Sequence, residues 1–121
     1  MSYDNNNIFA KILRGEIPCD KIYEDEYVLS FYDINPQKKI HALVIPKGKY
    51  IDLDDFNTRA SDKEIVGLLK GISIVAKKLG ISVDKGKGYR TLSNLSEDGG
   101  QEVPHLHFHL FGGERVGKMV Q

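Results

Sequence analysis

The chain has 121 residues, 17 Lys and Arg against 17 Asp and Glu, 40% hydrophobic residues and one cysteine, Cys19. This fits a single domain, residues 1–121, that buries roughly two-thirds of its extended surface without covalent staples. Zero net charge argues against a nucleic-acid binder, which needs a basic face; a lone cysteine excludes an internal disulfide; no apolar run approaches the ~18 residues of a membrane span. With a polar start from Met1 to Asn7 that lacks a signal peptide's apolar stretch, the expectation is a soluble cytoplasmic protein that engages neither nucleic acid nor membrane.

Asn5, Asn6 and Asn7 form a polar leader able to cap a helix. Ile8, Phe9, Ile12 and Leu13 then recur at helical spacing, Gly15 stops the run and Pro18 confirms the exit. From Lys21 the composition turns to β, with Ile22-Tyr23, a polar turn at 24–26, and Tyr27 to Tyr32. After a turn over 35–39, His41 to Ile45 is the next strand, so the three make an antiparallel meander. Pro46 to Asn57, with scattered acids, reads as an exposed loop.

Ser61-Asp62-Lys63-Glu64 is a capping box that opens the clearest helix. Ile65, Leu68, Leu69, Ile72, Val75, Ala76 and Leu79 fall on one stripe, Lys77 and Lys78 suit the negative end of the dipole, and Gly80 closes it. Gly67 and Gly71 sit on the other side, each costing about 1 kcal/mol against alanine in a helix interior. Two readings stand side by side: a face where a second backbone comes close, which implies a dimer, or a tolerated weakness on a solvated face. Lys85-Gly86-Lys87-Gly88 is a basic turn that lacks the spacing of a phosphate-binding loop. Tyr89 to Asn94 reads as a strand, 97–101 as a glycine turn, and His105 to Phe111 as the last strand. The fold class is α+β, an antiparallel sheet of about five strands with two helices on one side.

Alternation along that last strand puts His105, His107 and His109 on one face and Leu106, Phe108 and Leu110 on the other. Alternate Cβ positions lie about 6.5–7 Å apart, so a single substrate group can touch two imidazoles. A lone histidine is more often a satisfied residue without a role; three on one face, after a glycine turn, point to chemistry. One chemistry is metal binding, for which Cys19 is weak further support. The other is attack by a neutral imidazole on phosphorus while its neighbours hold the phosphoryl oxygens. That reading wants anion-binding N–H groups, which Gly99-Gly100-Gln101 could supply.

His105-Leu106-His107-Phe108-His109-Leu110-Phe111-Gly112-Gly113 resembles the signature of the histidine-triad (HIT) family, and its two glycines resemble the HINT-like, nucleotide-binding branch. Ile8-Phe9 through Pro18, Phe31 to Pro36, His41 to Lys47, and Asn94 with 98–101 resemble further family segments in order. The resemblance implies hydrolysis of a purine nucleoside phosphoramidate or related nucleotide, on a homodimer whose two sheets join. It makes His107 the nucleophile that forms a nucleotidyl-imidazole, His109 the phosphate ligand, His105 the support of His107, and His41 a histidine behind the triad. Asp33 takes the ribose hydroxyls, while Asn94, Gly100 and Gln101 take the phosphate side. Ile8, Phe9, Ile12, Phe31, Ile34 and Leu43 become walls of the base site.

Three departures accompany the resemblance. Asn7-Ile8-Phe9-Ala10 stands where many relatives carry a zinc-binding Cys-x-x-Cys, so no metal and no cofactor is expected. Glu102 replaces a serine that assists the leaving amine in animal relatives, and the tail Glu114 to Gln121 lacks their tryptophan-and-proline ending. Two other readings compete with the hydrolase: an AMP-binding regulatory module with little turnover, and a zinc-dependent enzyme.

Overall fold

Three capping side chains set where the helices of the computed structural model begin; it describes residues 2–119, so Met1 of the leader and Val120 and Gln121 of the tail lie outside it. The Asn7 carboxamide accepts the Ala10 N–H at 2.9 Å and opens α1 (Ile8–Leu13), which ends before Gly15 at φ +80°. Asp52 accepts the Asp55 N–H and opens α2 (Leu53–Arg59). Ser61 and Glu64 complete the capping box of α3 (Asp62–Lys78).

Helix α2 corrects the expectation of a loop over 46–57. Its only buried residue is Phe56, 1% exposed, so no helical stripe existed to be read. Its scattered acids are the Asp52 cap and first-turn Asp54 and Asp55, which suit the positive end of a helix dipole.

The strands are β1 (Lys21–Glu24), β2 (Val28–Tyr32), β3 (Ile40–Pro46), β4 (Arg90–Leu92) and β5 (Phe108–Gly112). They form one antiparallel sheet in the order β1-β2-β3-β5-β4. The first three make the expected meander. The chain then passes through α2 and α3 to the edge strand β4, and β5 inserts between β4 and β3. The last strand is shorter than expected at its start. Val44 pairs with Phe108, so the same register would set Pro46 opposite Leu106, and proline has no N–H to give. Leu106 donates instead to the Tyr50 carbonyl at 2.8 Å.

Each sheet face has its own core. Val28, Ala42, Val44, Leu106 and Leu110 pack under α3 and Phe56 of α2. On the opposite face Leu29, Phe31, Leu43 and Ile45 pack under Phe9 of α1. The three helices therefore cover both faces, which corrects the expectation of two on one side. Within α3, Leu68, Ile72, Val75 and Ala76 are buried as the stripe requires, but Leu69 is 60% exposed at its margin.

Gly67 and Gly71 are explained inside the chain. A Cβ on Gly67 would fall 2.6 Å from the Tyr27 ring, and one on Gly71 would fall 2.9 Å from Val28. The close approach is that of α3 to β2 and its preceding turn, so these glycines carry no sign of a second copy. Among the described residues no helix is long and apolar enough to cross a membrane.

Candidate active site

The register of β3 on β5 builds the site. His41 lies opposite Phe111 and Leu43 opposite His109, so the face that carries the triad also carries His41. Phe9 of α1 covers one end of that face, its ring 5.0 Å from His107 in an edge arrangement. Beyond Phe9 a cleft of about 310 Å³ opens, reaching His107, His109, His41 and Asp33. Asn94, after β4, and Gly100 and Glu102, in the loop before β5, form its other side.

Hydrogen-bond partners fix the tautomer of each imidazole. A carbonyl can only accept, so the bond of His107 Nδ1 to the His105 carbonyl, 2.7 Å, puts the proton on Nδ1. The lone pair of His107 is then on Nε2. Among the described residues no group bonds that nitrogen and no buried side-chain nitrogen or oxygen lacks a partner; Nε2 therefore opens on the cleft. His105 donates from Nε2 to the Pro46 carbonyl at 2.9 Å and accepts on Nδ1 from the Tyr3 hydroxyl at 2.5 Å. His105 thus supports His107 through its backbone carbonyl rather than its ring.

A second chain of bonds orients His109. The Gln37 N–H donates to His41 Nδ1 at 3.1 Å, which leaves the His41 proton on Nε2. That proton is shared with His109 Nδ1 at 2.9 Å, with Asp33 Oδ2 3.4 Å from the same nitrogen. His109 then carries its own proton on Nε2, a donor placed beside the His107 lone pair; the two rings are 5.1 Å apart.

Burial keeps all four imidazoles neutral near pH 7. It pushes His105 down to about 4 against the raising pull of the Pro46 carbonyl. His109 is pushed to about 4 by burial and then by His107 and His41. Burial also lowers His107, opposed by the His105 carbonyl and the Asp33 and Glu102 carboxylates, and lowers His41, opposed by Asp33.

The sequence-derived residues divide. His41, Asp33, Phe9, Leu43, Asn94, Gly100, His107 and His109 meet at the cleft. His105, 0% exposed, stands behind it. Phe31 lies beneath Phe9 in the core, and Ile12 faces a separate hollow near Cys19. Ile8 is exposed and Ile34 is 84% exposed; neither lines the cleft. Gln101 turns inward, its Nε2 donating to the Ile51 and Val103 carbonyls and its Oε1 accepting the Ser96 N–H.

The glycine turn does not supply the anion-binding N–H groups expected of it. Those of Gly99, Gly100 and Gln101 are taken by the Leu95, Glu97 and Ser96 carbonyls. Gly99 is required because a Cβ would meet the Leu95 carbonyl at 2.3 Å, and Gly100 because its φ is +74°. Sequence reasoning missed Tyr3, whose hydroxyl reaches His105, and Gln37, whose N–H sets the tautomer of His41. No local pattern marks either residue. The metal reading gains a carboxylate here, for donor atoms of Asp33, His41 and His109 lie within 4.8 Å of one another. Cys19 is not among them, and the two imidazole nitrogens are already bonded to each other.

A five-stranded antiparallel sheet with His107 and His109 opening on a cleft beside His41, and His105 buried behind them, fits a histidine-triad protein. The HIT domain matches residues 14–116, and the chain belongs to the HIT family. It is 56% identical over 119 residues to an uncharacterised HIT-like protein of Azospirillum brasilense, covering 98% of this chain and 95% of that one. It is 44% identical over 106 residues to one of Methanocaldococcus jannaschii, covering 85% and 75%. Among solved structures it resembles a HIT family hydrolase from Clostridium thermocellum, with a TM-score of 0.85, 36% identity and 98% and 99% of the two chains covered. A histidine triad protein from Clostridium difficile gives 0.81, 39% identity and 97% and 98% coverage.

Proposed function

We propose that this protein is a nucleotidyl hydrolase of the HINT-like branch that cleaves purine nucleoside phosphoramidates through a covalent intermediate on His107. The observation that carries the reading is the His107 tautomer: with Nδ1–H bound to the His105 carbonyl, the Nε2 lone pair is available at the cleft without prior loss of a proton. Similarity to a HIT family hydrolase supports the reaction class.

His107 Nε2 attacks phosphorus as the P–N bond breaks, and the departing amine nitrogen takes a proton from water. His109 Nε2–H donates to a phosphoryl oxygen as charge builds there. Water then attacks phosphorus, the P–Nε2 bond breaks, and the nucleoside monophosphate leaves with return of the borrowed proton to solvent. His107 is left neutral, as it began. Asp33 takes the ribose hydroxyls, Phe9 and Leu43 wall the base, and Asn94 faces the phosphate. His41 keeps the His109 proton on Nε2, and His105 holds His107 by its carbonyl.

The family resemblance and the unpaired outer edge of β4 support a homodimer with one continuous sheet, for which a sedimentation mass near two chains is the test. The lone thiol of Cys19 supports a cytoplasmic location. The reaction is tested by turnover of adenosine 5′-phosphoramidate. The wild type releases AMP and ammonia and the His107→Asn variant does not; AMP binding without turnover by the wild type would leave a regulatory module instead.

A further inference from the structure

The carbonyl that sets the His107 tautomer belongs to a residue outside the sheet. β5 begins at Phe108, so His105 and His107 precede its ladder and depend on separate bonds. The His105 N–H donates to the Val103 carbonyl at 2.9 Å, and that of Leu106 to the Tyr50 carbonyl at 2.8 Å. The other ties come from the His105 ring, which donates from Nε2 to the Pro46 carbonyl at 2.9 Å and accepts on Nδ1 from the Tyr3 hydroxyl at 2.5 Å. A half-turn of the ring would set carbon atoms against both partners, so the two bonds together allow one orientation.

Tyr3 is itself tied down. Asn7, 5% exposed, donates from its carboxamide and its peptide N–H to the Asp4 carbonyl, at 2.8 and 3.2 Å, while its Oδ1 caps α1. Asp4 Oδ1 accepts the Asn6 N–H at 2.8 Å, and the Arg14 guanidinium donates to the Asn5 carbonyl at 2.7 Å. The turn over 4–7 thus joins Tyr3 to the helix whose Phe9 ring lies edge-on to both His105 and His107. Burial raises the Tyr3 phenol above its ordinary value, against the lowering pull of Asn7 and Arg14, so the hydroxyl stays protonated and donating near neutral pH.

Resting on the hydrolase reading, we infer that Tyr3 is a positioning residue for His107: its hydroxyl fixes the His105 ring, and the ring fixes the carbonyl that keeps the His107 proton on Nδ1 and its lone pair at the cleft. Tyr3 does not line the cleft, so it acts without touching the substrate. Without the hydroxyl, the buried Nδ1 of His105 has no donor. The ring then turns, or moves its own proton to Nδ1, and either change gives up the Pro46 bond and shifts the residue. As the His105 carbonyl loosens, the proton of His107 redistributes to Nε2, where it blocks attack on phosphorus. The substrate contacts of the proposed reaction lie on other residues, so the loss falls on the fraction of enzyme competent to react. kcat drops and KM holds.

The test compares Tyr3→Phe with Gly71→Ala, a variant strained against Val28 on the opposite face of the sheet, both well below their unfolding temperatures. In Tyr3→Phe, kcat for adenosine 5′-phosphoramidate falls about three- to tenfold, the ratio that one intramolecular hydrogen bond is worth, and KM changes less than about twofold. Long-range ¹H–¹⁵N correlation spectra show wild-type His107 with its proton on Nδ1 and Tyr3→Phe with a growing Nε2–H population. Gly71→Ala keeps the wild-type kcat and the wild-type His107 pattern, which separates positioning from a general loss of stability. Wild-type kcat and an unaltered His107 pattern in Tyr3→Phe would overturn the inference while leaving the hydrolase intact, and so would an equal fall of kcat in Gly71→Ala. A wild-type His107 with its proton on Nε2 would overturn both, whether or not the variant folds, as would absence of wild-type turnover.

Discussion

The Tyr3 hydroxyl donates to Nδ1 of His105 at 2.5 Å, a bond between residues 102 apart in sequence that ties the start of the chain to the first histidine of the triad. The rings meet edge to face, 5.6 Å between centroids. His105 has no solvent exposure, so no bulk water stands ready to replace the hydroxyl. Tyr3→Phe keeps the ring contact and leaves a buried acceptor unpaired, which costs about 1–3 kcal/mol. Urea unfolding should show that loss, and the His105 ¹⁵N shifts should move because the bond is made only to the neutral ring. An unchanged unfolding midpoint and unchanged shifts would count against the contact.

Depressed imidazole pKa values make stability depend on pH with a definite sign. An unfolded histidine titrates near 6.5, whereas buried His105 titrates at about 4. The unfolded state therefore binds more protons between these values, so the stability contributed by neutral His105 is fully present above 6.5 and is lost as pH falls to about 4. The magnitude is on the order of 3 kcal/mol for His105. Unfolding midpoints from pH 7 to pH 4 should fall steeply, and less steeply in His105→Gln.

On the hydrolase reading, the same burial extends catalysis to acid. His107 must be neutral to attack, and its pKa is lowered by burial. The acid limb of kcat/KM for adenosine 5′-phosphoramidate should have its midpoint below 6.5. A midpoint at or above 6.5 would mean that the nucleophile is an ordinary solvated imidazole.

On the hydrolase reading, His41 acts through His109, to which it is bonded, rather than on the substrate. Removing it in His41→Ala frees His109 Nδ1 from the 2.9 Å bond that sets its tautomer. kcat should fall about 10- to 100-fold, in the range of acid–base and orienting residues, while KM changes little. A rise in KM that matches the fall in kcat/KM, with kcat preserved, would assign His41 to binding instead.

Gly71→Ala separates the two accounts of the α3 glycines. On a solvated face alanine stabilises a helix by about 1 kcal/mol. Against Val28, 2.9 Å from the new Cβ, it should instead destabilise by about 1–3 kcal/mol, read from the urea midpoint.

What the sequence made legible was periodic. The α3 stripe, the runs of strand formers in the meander and the residue-type alternation from His105 to Phe111 are patterns in the sequence itself, and Leu106 and Leu110 are buried with the α3 core as that alternation requires. Residues fixed by a single long-range contact left no such trace. Phe56 alone buries α2, Tyr3 meets a partner across nearly the whole chain, and Gly67 owes its identity to Tyr27 on another element. The glycine turn was visible as a turn, but its composition could not tell whether its N–H groups faced a ligand or the loop's own carbonyls. The triad was legible because its histidines recur at every second position, although β5 begins only at Phe108 and His105 stands behind the cleft that His107 and His109 reach.

The most direct test of the covalent role of His107 is intact-mass spectrometry of the protein quenched in alkali during turnover of adenosine 5′-phosphoramidate, followed by mapping of any adduct. The expected result is a transient adenylyl group on the peptide that holds His107, absent in His107→Asn. Sustained wild-type turnover with no adduct at any quench time, or with the adenylyl group on another residue, would contradict the account.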